Sequence, residues 1–147
     1  MRELRLKGQG LTALPSAVFD HADTLELLDV SGNALSELPP DLHRFKRLRI
    51  LFASNNRFTE LPRVLGECPA LEMVGFKANA IAHVPAEALP LPLRWLILTD
   101  NAIATLPDAL GQRPRLQKLM LAGNRLAALP DSLRQATALE LLRIAAN

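Results

Sequence analysis

Few side chains in this sequence have the type and spacing that catalysis or metal binding requires. The three histidines, His21, His43 and His83, do not have the spacing of metal ligands. Cys68 is the only cysteine, and no residue pattern suggests the positioned base that a nucleophilic thiol needs. The "GQG" at 8–10 lacks the later glycine and lysine of a phosphate-binding loop. We therefore predict no catalytic residue, metal or cofactor in this chain, and we interpret Cys68 as a small buried side chain.

Trp95 and Ile97 point to binding rather than to catalysis. They lie in "LRWLILTDN" (93–101), a strand-like run that is apolar on both faces. Successive side chains of a strand alternate between its faces, so Leu96 and Leu98 point one way while Trp95 and Ile97 point the other. One of these faces can pack in a core. The other face, which carries the only tryptophan of the chain, needs a separate explanation.

The stretch around Trp95 is one copy of a repeat that runs through the whole chain. Five copies extend from a leucine to a Leu-Pro or Val-Pro pair: "LELLDVSGNALSELP" (25–39), "LRILFASNNRFTELP" (48–62), "LEMVGFKANAIAHVP" (71–85), "LRWLILTDNAIATLP" (93–107) and "LQKLMLAGNRLAALP" (116–130). A first copy has Gln9 in place of the asparagine, and a last copy stops at Asn147. Such self-similarity is typical of solenoid architectures.

The repeat resembles the pattern of the leucine-rich repeat family, L-x-x-L-x-L-x-x-N-x-L-x-x-L-P, over the entire chain. The resemblance implies an α/β fold: a curved, right-handed leucine-rich repeat solenoid with a parallel β-sheet on its concave face and short helical or irregular turns on its convex face. We expect a single domain over 1–147, with six repeats and a truncated seventh. The expected strands are centred on residues 4–6, 27–29, 50–52, 73–75, 95–97, 118–120 and 141–143.

Each copy contains apolar residues that it cannot bury alone. In the second copy these residues are Leu25, Leu28, Val30, Leu35 and Leu38. Stacking the copies turns them into one continuous core. The asparagine that follows each strand can donate and accept hydrogen bonds, so it can pair backbone groups that the turn would otherwise bury unsatisfied. The predicted structural ladder comprises Asn33, Asn56, Asn79, Asn101 and Asn124.

The third and fifth residues of each copy point away from the core and together form an apolar surface. Monomeric proteins rarely expose contiguous apolar patches above a few hundred Å². Burial of four such side chains contributes roughly 6–12 kcal/mol before the costs of association. We therefore predict that this surface binds a protein or peptide; the alternative is that another segment of the same polypeptide covers it. The predicted partner-binding residues are Leu27, Ile50, Phe52, Met73, Trp95, Ile97, Lys118 and Met120.

Charged and polar residues flank this surface. The second residues of the first five copies alternate in sign: Arg2, Glu26, Arg49, Glu72 and Arg94. We interpret them as a ladder that fixes the strand register, with ligand contact as the alternative. The predicted polar rim comprises Asp29, Ser54, Lys77, Thr99 and Asp100. Lys118 has the position for a cation–π contact with Trp95, but we expect its ammonium group to be solvated.

Several phrases are more narrowly similar to a bacterial group in which leucine-rich repeats precede a protein-kinase-like domain. These are "MVGFKAN", "LRWLILTDN", "LQKLMLAGN" and "LELLRIAAN". The similarity implies a signalling role, but no kinase motif is present to which kinase residues could be assigned. Bacterial effector ubiquitin ligases also use repeats that end in Leu-Pro, although theirs are typically shorter. The alternative function is thus a regulatory region that docks on a catalytic domain of its own polypeptide.

The last copy leaves Leu139, Leu142 and Ile144 uncovered beside an open strand edge. Terminal repeats of solenoids need polar caps, and open edges promote association. We therefore expect the native polypeptide to continue beyond Asn147, or this end to self-associate.

The composition agrees with a packed domain and limits the choice of partner. Hydrophobic residues make up 49% of the chain and the net charge is only +2, which is weak support for nucleic-acid binding. No secretory signal, membrane-length apolar run or Asn-x-Ser/Thr acceptor occurs, and an internal disulfide is impossible. We expect a cytoplasmic protein with neither nucleic acid nor membrane as a partner.

Overall fold

A single parallel β-sheet runs the length of the protein. The computed structural model describes residues 1–147. The strands are β1 (Glu3–Arg5), β2 (Leu27–Asp29), β3 (Ile50–Phe52), β4 (Met73–Gly75), β5 (Trp95–Ile97), β6 (Lys118–Met120) and β7 (Leu141–Arg143). Each strand pairs with the next in sequence, so the sheet order is β1 to β7 without a crossover. Six strands match the expected ranges, and β1 begins one residue earlier than 4–6.

Short 3₁₀ helices return the chain from each strand to the next along the convex side. They are η1 (Ser16–His21), η2 (Pro40–Arg44), η3 (Arg63–Glu67), η4 (Ala86–Ala88), η5 (Asp108–Gln112) and η6 (Asp131–Gln135). A proline with φ between −59° and −74° immediately precedes or starts each one. Proline fixes this φ and needs no hydrogen-bond acceptor, so it ends the strand pattern and starts the turn. No helix has the length and apolar character that a membrane crossing requires.

The core lies between the sheet and the 3₁₀ helices. The inward residue of every central strand is at most 1% exposed: Leu28, Leu51, Val74, Leu96 and Leu119. Phe58 and Phe76 add an edge-to-face contact with ring centroids 5.0 Å apart, a geometry that aromatic pairs favour. One hydrophobic cluster extends from Val18 to Ala136, so the copies share a core as the repeat pattern predicts.

The asparagine side chains join each copy to the one before it. The Oδ1 of Asn79 accepts from the backbone N–H of Phe58 at 3.1 Å. Its Nδ2 donates to the carbonyl oxygens of Ala53 at 3.1 Å and Phe76 at 3.0 Å. The structure places the same arrangement at the other members of the ladder: Asn33, Asn56, Asn101 and Asn124. These bonds tie the end of one strand to the turn of its neighbour.

Two glycines on the convex side permit a backbone approach that the repeat pattern does not reveal. A Cβ at Gly66 would lie 1.7 Å from the carbonyl oxygen of Glu87, and one at Gly111 would lie 2.1 Å from that of Ser132. Neither distance is possible between real atoms, so any side chain at these positions would push neighbouring 3₁₀ helices apart. The tight stacking of the convex side therefore depends on these two glycines.

The last strand, β7, leaves one edge of the sheet unpaired. Leu142 and Ile144 are 38% and 46% exposed. Nearby, Leu126 and Leu129 border a mainly apolar hollow of about 380 Å³. The inward positions of the last copy thus lack the cover that the same positions have in the central copies.

Candidate functional site

The outward side chains of β2 to β6 form an apolar surface, here called the concave strip. Its members are Leu27, Ile50, Phe52, Met73, Trp95, Ile97 and Met120. Parallel pairing brings Leu27, Ile50, Met73 and Trp95 side by side in one row, followed by Lys118. A second row runs from Phe52 through Gly75 to Ile97 and Met120. All members of the strip are half-buried, and no further layer of the chain covers them.

Phe52 closes what would otherwise be a gap in the second row. Gly75 has no side chain, and a Cβ built there would lie 2.8 Å from Cδ1 of Phe52. The Phe52 ring therefore already leans over Gly75. The apolar surface remains continuous from β3 to β5 because this ring occupies the space next to the glycine.

Two contacts restrict the indole ring of Trp95, one at its N–H group and one at the face of the ring. Its Nε1 donates to Oε1 of Gln117 at 3.0 Å, and the same oxygen accepts from Nη2 of Arg94 at 3.2 Å. The ammonium nitrogen of Lys118 lies 4.1 Å from the centroid of the indole ring, within cation–π range. The expectation of a solvated Lys118 was thus wrong, because the side-chain conformation of Lys118, which the repeat pattern does not determine, places its ammonium group over the ring.

A cluster of charged side chains lies at the amino-terminal ends of the strands, which form one long side of the sheet. Glu72 accepts from Arg49 at 2.8 Å and also contacts Arg94 at 3.7 Å and Arg115 at 3.3 Å. The hydrogen bond from Arg49 is the main cause that lowers the pKa of Glu72, and partial burial opposes it. Arg2 pairs with Glu26 in the same way and lowers the pKa of that carboxyl. Side-chain bonds therefore link neighbouring copies at this edge, as a register ladder requires.

The predicted polar rim is not one surface. Asp29 lies inside β2 and is only 9% exposed, with its carboxylate accepting from the backbone N–H of Ser31 at 3.0 Å. Ser54 and Thr99 are half-buried beyond the ends of their strands, and Lys77 is exposed there. Asp29 thus belongs to the sheet itself, and the rim interpretation is wrong for it because its carboxylate is already engaged locally.

Asp100 occupies a position with a backbone requirement that the rim interpretation missed. The eighth residue of every copy has a positive φ, between 54° and 72°: Gly8, Gly32, Asn55, Ala78, Asp100, Gly123 and Ala146. This left-handed conformation favours glycine, asparagine and aspartate. Polarity at this column therefore reflects the turn after each strand. The recurrence of Gly, Asn and Asp at the eighth position of the copies is the sequence signal for this left-handed conformation.

The residues with potential for chemistry do not assemble into a site. Cys68 is 1% exposed on the convex side, and burial raises the pKa of its thiol to about 12. A thiol with that pKa stays protonated at neutral pH and is a poor nucleophile. No group of three or more histidine, cysteine or acidic side chains is arranged to hold a metal ion. The surface with a distinctive arrangement is therefore the concave strip.

Comparisons with known proteins agree with the repeat pattern. The family model described as leucine rich repeat matches residues 1–58. Human leucine-rich repeat-containing protein 58 is 39% identical over 94 residues, which cover 60% of this chain and 25% of that protein. Human leucine-rich repeat and calponin homology domain-containing protein 1 is 32% identical over 115 residues, which cover 78% of this chain and 15% of that protein. The chain thus spans a quarter or less of these curated relatives.

Solved structures extend the likeness to almost the whole chain. The complex of Toll with Spatzle from Drosophila matches 99% of this chain and 20% of the solved chain, with 29% identity and a TM-score of 0.84. A TLR13–ssRNA13 complex matches 98% of this chain and 21% of the other, with 27% identity and a TM-score of 0.85. The protein has the fold of a leucine-rich repeat solenoid. Its parallel seven-stranded sheet and convex 3₁₀ helices confirm the predicted fold class.

The narrower resemblance to bacterial kinase-associated repeats receives no support from these comparisons. The two curated relatives named above are human proteins, and other relatives are from mouse and Podospora anserina. The names of the first relatives identify leucine-rich repeat proteins, which agrees with the repeat pattern of this chain.

Proposed function

We propose that the concave strip is a binding surface for a protein or a peptide. Leucine-rich repeat domains are generally protein–protein interaction modules, and similar chains were solved as complexes, including Toll with Spatzle and PEPR1 with AtPEP1. The observation that carries the proposal is the row Leu27–Ile50–Met73–Trp95, which is apolar, contiguous and only half-buried although the core lies on the opposite side of the sheet.

The state of Trp95 before binding supports its role as an anchor. Tryptophan is enriched among the residues that dominate interface energies. Its hydrogen bond to Gln117 and its contact with Lys118 restrict the indole ring in the free chain. A side chain that is already ordered loses less conformational entropy when a partner binds. Trp95 therefore combines a large apolar area with a low cost of immobilisation.

A pair of measurements on Trp95→Ala tests this function. Wild-type and mutant chains are used as bait for proteins from the source cell, and both are melted to compare their stability. We expect the mutant to capture the specific partner at least about 30-fold less efficiently, which corresponds to about 2 kcal/mol or more. Its free energy of unfolding should fall by less than about 1 kcal/mol. Leu91→Ala, a change at an exposed convex position, is the matched control.

Two outcomes would contradict the proposal. A large loss of stability would mean that Trp95 is a core residue and that its loss disturbs the whole fold. An unchanged set of captured proteins, with the mutant as stable as the wild type, would remove the concave strip as the binding site.

A second candidate is a regulatory region of a larger enzyme, with the concave strip docked on a catalytic domain of the same polypeptide. Some relatives carry enzyme names, including an adenylate cyclase from Podospora anserina that is 31% identical over 122 residues. Those residues make up only 6% of that protein. The coding sequence beyond Asn147 distinguishes the candidates: kinase-like or ligase motifs favour the regulatory role, whereas further repeats favour a free binding module.

We also propose a cytoplasmic setting and self-association through the exposed end at β7. The single buried thiol needs no oxidising compartment.

The open edge of β7 and the exposed Leu142 and Ile144 offer an apolar, hydrogen-bonding surface to a second copy. Sedimentation velocity on this 147-residue chain should show dimers or larger species that the L142K/I144K double variant lacks. A monomeric wild-type chain at high concentration would contradict self-association.

A further inference from the structure

We propose that the concave strip selects a peptide segment in which acidic residues accompany apolar ones. This inference rests on the proposed binding function and adds the chemistry of the partner. It is derived from the distribution of paired and unpaired charges around the strip. Apolar contacts supply most of the affinity, and the acidic residues select the partner and its orientation on the sheet.

Three cations beside the strip have no ionic partner in the chain. No carboxylate oxygen lies within 4.0 Å of the charged groups of Lys77, Lys118 or Arg143, since all eight ion pairs involve other basic residues. Lys118 pairs in register with Trp95, and Arg143 pairs in register with Met120. Lys77 lies two residues after Gly75, the last residue of β4. The unpaired positive charges are therefore adjacent to apolar members of the strip.

The acids near the strip do not balance these cations. Asp29 is buried, and its carboxylate accepts the backbone N–H of Ser31. Glu72, at the edge of the sheet, is already surrounded by arginines. Asp100, exposed in the turn beyond β5, and Glu140, which precedes β7 and accepts from Gln117, form no ion pair with any of the three cations. The whole chain carries a net charge of only +2, so the excess of free positive charge around β4 to β7 is a local property of this surface.

The spacing of the cations fits a short extended segment. Neighbouring strands of a sheet lie about 4.8 Å apart, so β4 and β7 are separated by about 14 Å. An extended peptide advances about 3.3 Å per residue and covers this distance with four or five residues. A peptide that crosses the strands can thus place two acidic residues near Lys77 and Arg143, with apolar side chains between them over Ile97 and Met120.

The same surface suits nucleic acid poorly. Single-stranded nucleic acid is bound by stacking platforms together with a groove of many positive charges. Here Trp95 is the only tryptophan, and Lys118 already lies against its ring. Besides Trp95 and Phe52, the strip presents aliphatic and methionine side chains such as Ile50, Met73 and Met120, which match apolar peptide side chains better than phosphates.

Selection from a phage-displayed library of random twelve-residue peptides tests the inference. The immobilised chain is the target, and synthetic versions of the enriched peptides are then titrated while the fluorescence of Trp95 is followed with 295 nm excitation. Trp95 is the only tryptophan and tyrosine is absent, so for peptides without tryptophan the signal reports on the strip itself. We expect enriched peptides to combine aspartate or glutamate with large apolar residues.

Charge variants give the decisive comparison. Lys118→Gln and Lys77→Gln should each weaken binding of an enriched acidic peptide by about three- to fivefold, and Lys118→Glu should weaken it further. Lys118→Arg should retain the affinity, because it keeps the charge next to Trp95. The matched control is Lys46→Gln, which removes one charge near Cys68 on the convex side and should leave affinity unchanged.

The outcomes separate this inference from the function on which it rests. Enriched peptides that need Trp95 but lack acidic residues, or that bind Lys118→Gln as tightly as wild type, overturn the charge preference and leave the binding function standing. Peptides that bind Trp95→Ala as tightly as wild type in isothermal titration calorimetry, which needs no tryptophan signal, overturn both. Failure to enrich any peptide, or binding of a single-stranded RNA homopolymer in preference to every peptide, also overturns the inference.

Discussion

Strands β2 to β6 carry apolar side chains on both faces, and the two faces differ sharply in burial. On the inner face Leu96 has no exposed surface, whereas its neighbour Trp95 on the outer face is half-buried and uncovered. The same contrast holds for Leu51 beside Ile50. Apolar character alone therefore does not identify the core of this fold.

Under the proposed binding function, the inner face contributes to the free energy of folding and the outer face to the free energy of binding. Inner side chains are removed from water when the copies stack, so they stabilise the folded state. Outer side chains lose only part of their exposure on folding, and the rest remains available to stabilise a complex. Substitutions on the inner face should therefore lower stability, and substitutions on the outer face should lower affinity. The following predictions test this division, beginning with the largest effect.

Leu96→Ala and Trp95→Ala compare the two faces at adjacent positions. We expect Leu96→Ala to lower the free energy of unfolding by about 2–5 kcal/mol, since it leaves a cavity in a closely packed core. Trp95→Ala removes more atoms but should cost less than about 1 kcal/mol. Urea unfolding followed by circular dichroism measures both. Equal losses for the two variants would eliminate the distinction between the faces.

Substitution of the asparagines tests whether the strand ends belong to the buried side. Asn56→Ala and Asn79→Ala should each lower the free energy of unfolding by about 1–3 kcal/mol. Each change leaves one backbone N–H without its acceptor and removes one of the two asparagine amides that donate to each of two strand-end carbonyls. Gln112→Ala on the exposed convex side is the control. Denaturation midpoints that match the wild type in both variants would show that the amides make no net contribution.

Glu72→Gln tests the charged edge of the outer face through its pH dependence. We expect a loss of about 1 kcal/mol at pH 7, because three arginines surround a largely buried carboxylate. The pKa of Glu72 is lowered in the folded state, so its stabilisation is present above the unfolded pKa of about 4.3 and is lost as the pH falls through the folded pKa.

The difference between wild type and Glu72→Gln in urea midpoint should therefore shrink between about pH 5 and pH 3. Glu37→Gln, at an exposed position without an ion pair, should show no such convergence. A constant difference across this range would mean that the carboxylate charge is not what stabilises the edge.

Ala78→Gly should give the smallest change, and it should be a gain. Ala78 has φ of 56°, a left-handed conformation that strains any residue with a Cβ. Glycine removes that strain, so we expect the free energy of unfolding to rise by about 0.5–1 kcal/mol. Ala80→Gly, at a position without positive φ, should lower it by a similar amount through unfolded-state entropy. The opposite signs can be read from two thermal melts, and a loss in both would contradict the account.

Much of this arrangement could be predicted from the sequence because period and register are linked in a repeat. The spacing of Leu93, Leu96 and Leu98 determines which face Trp95 occupies, and alignment of the copies determines that Met73 and Lys118 flank it. The predicted range of β1, residues 4–6, was wrong by one residue. Alignment of the first copy with the others gives residues 3–5, as the structure shows.

Features that depend on side-chain conformation or backbone approach could not be predicted in this way. The ring contact of Lys118 and the hydrogen bond between Gln117 and Trp95 depend on rotamers, which the repeat leaves free. The burial of Asp29 depends on its local bond to Ser31. The requirement for glycine at Gly66 arises from the backbone of the next 3₁₀ helix, which no residue pattern within a single copy reveals.

The most direct test of the concave strip uses the single tryptophan as a fluorine probe. Incorporation of 5-fluorotryptophan labels only Trp95 and gives one ¹⁹F resonance. In the free chain this resonance should shift when H₂O is replaced by D₂O, because the half-buried ring still contacts solvent. On addition of the partner captured by the wild-type bait, the resonance should move and its solvent isotope shift should disappear. A resonance that does not change while sedimentation shows the complex to be formed would contradict binding at the concave strip.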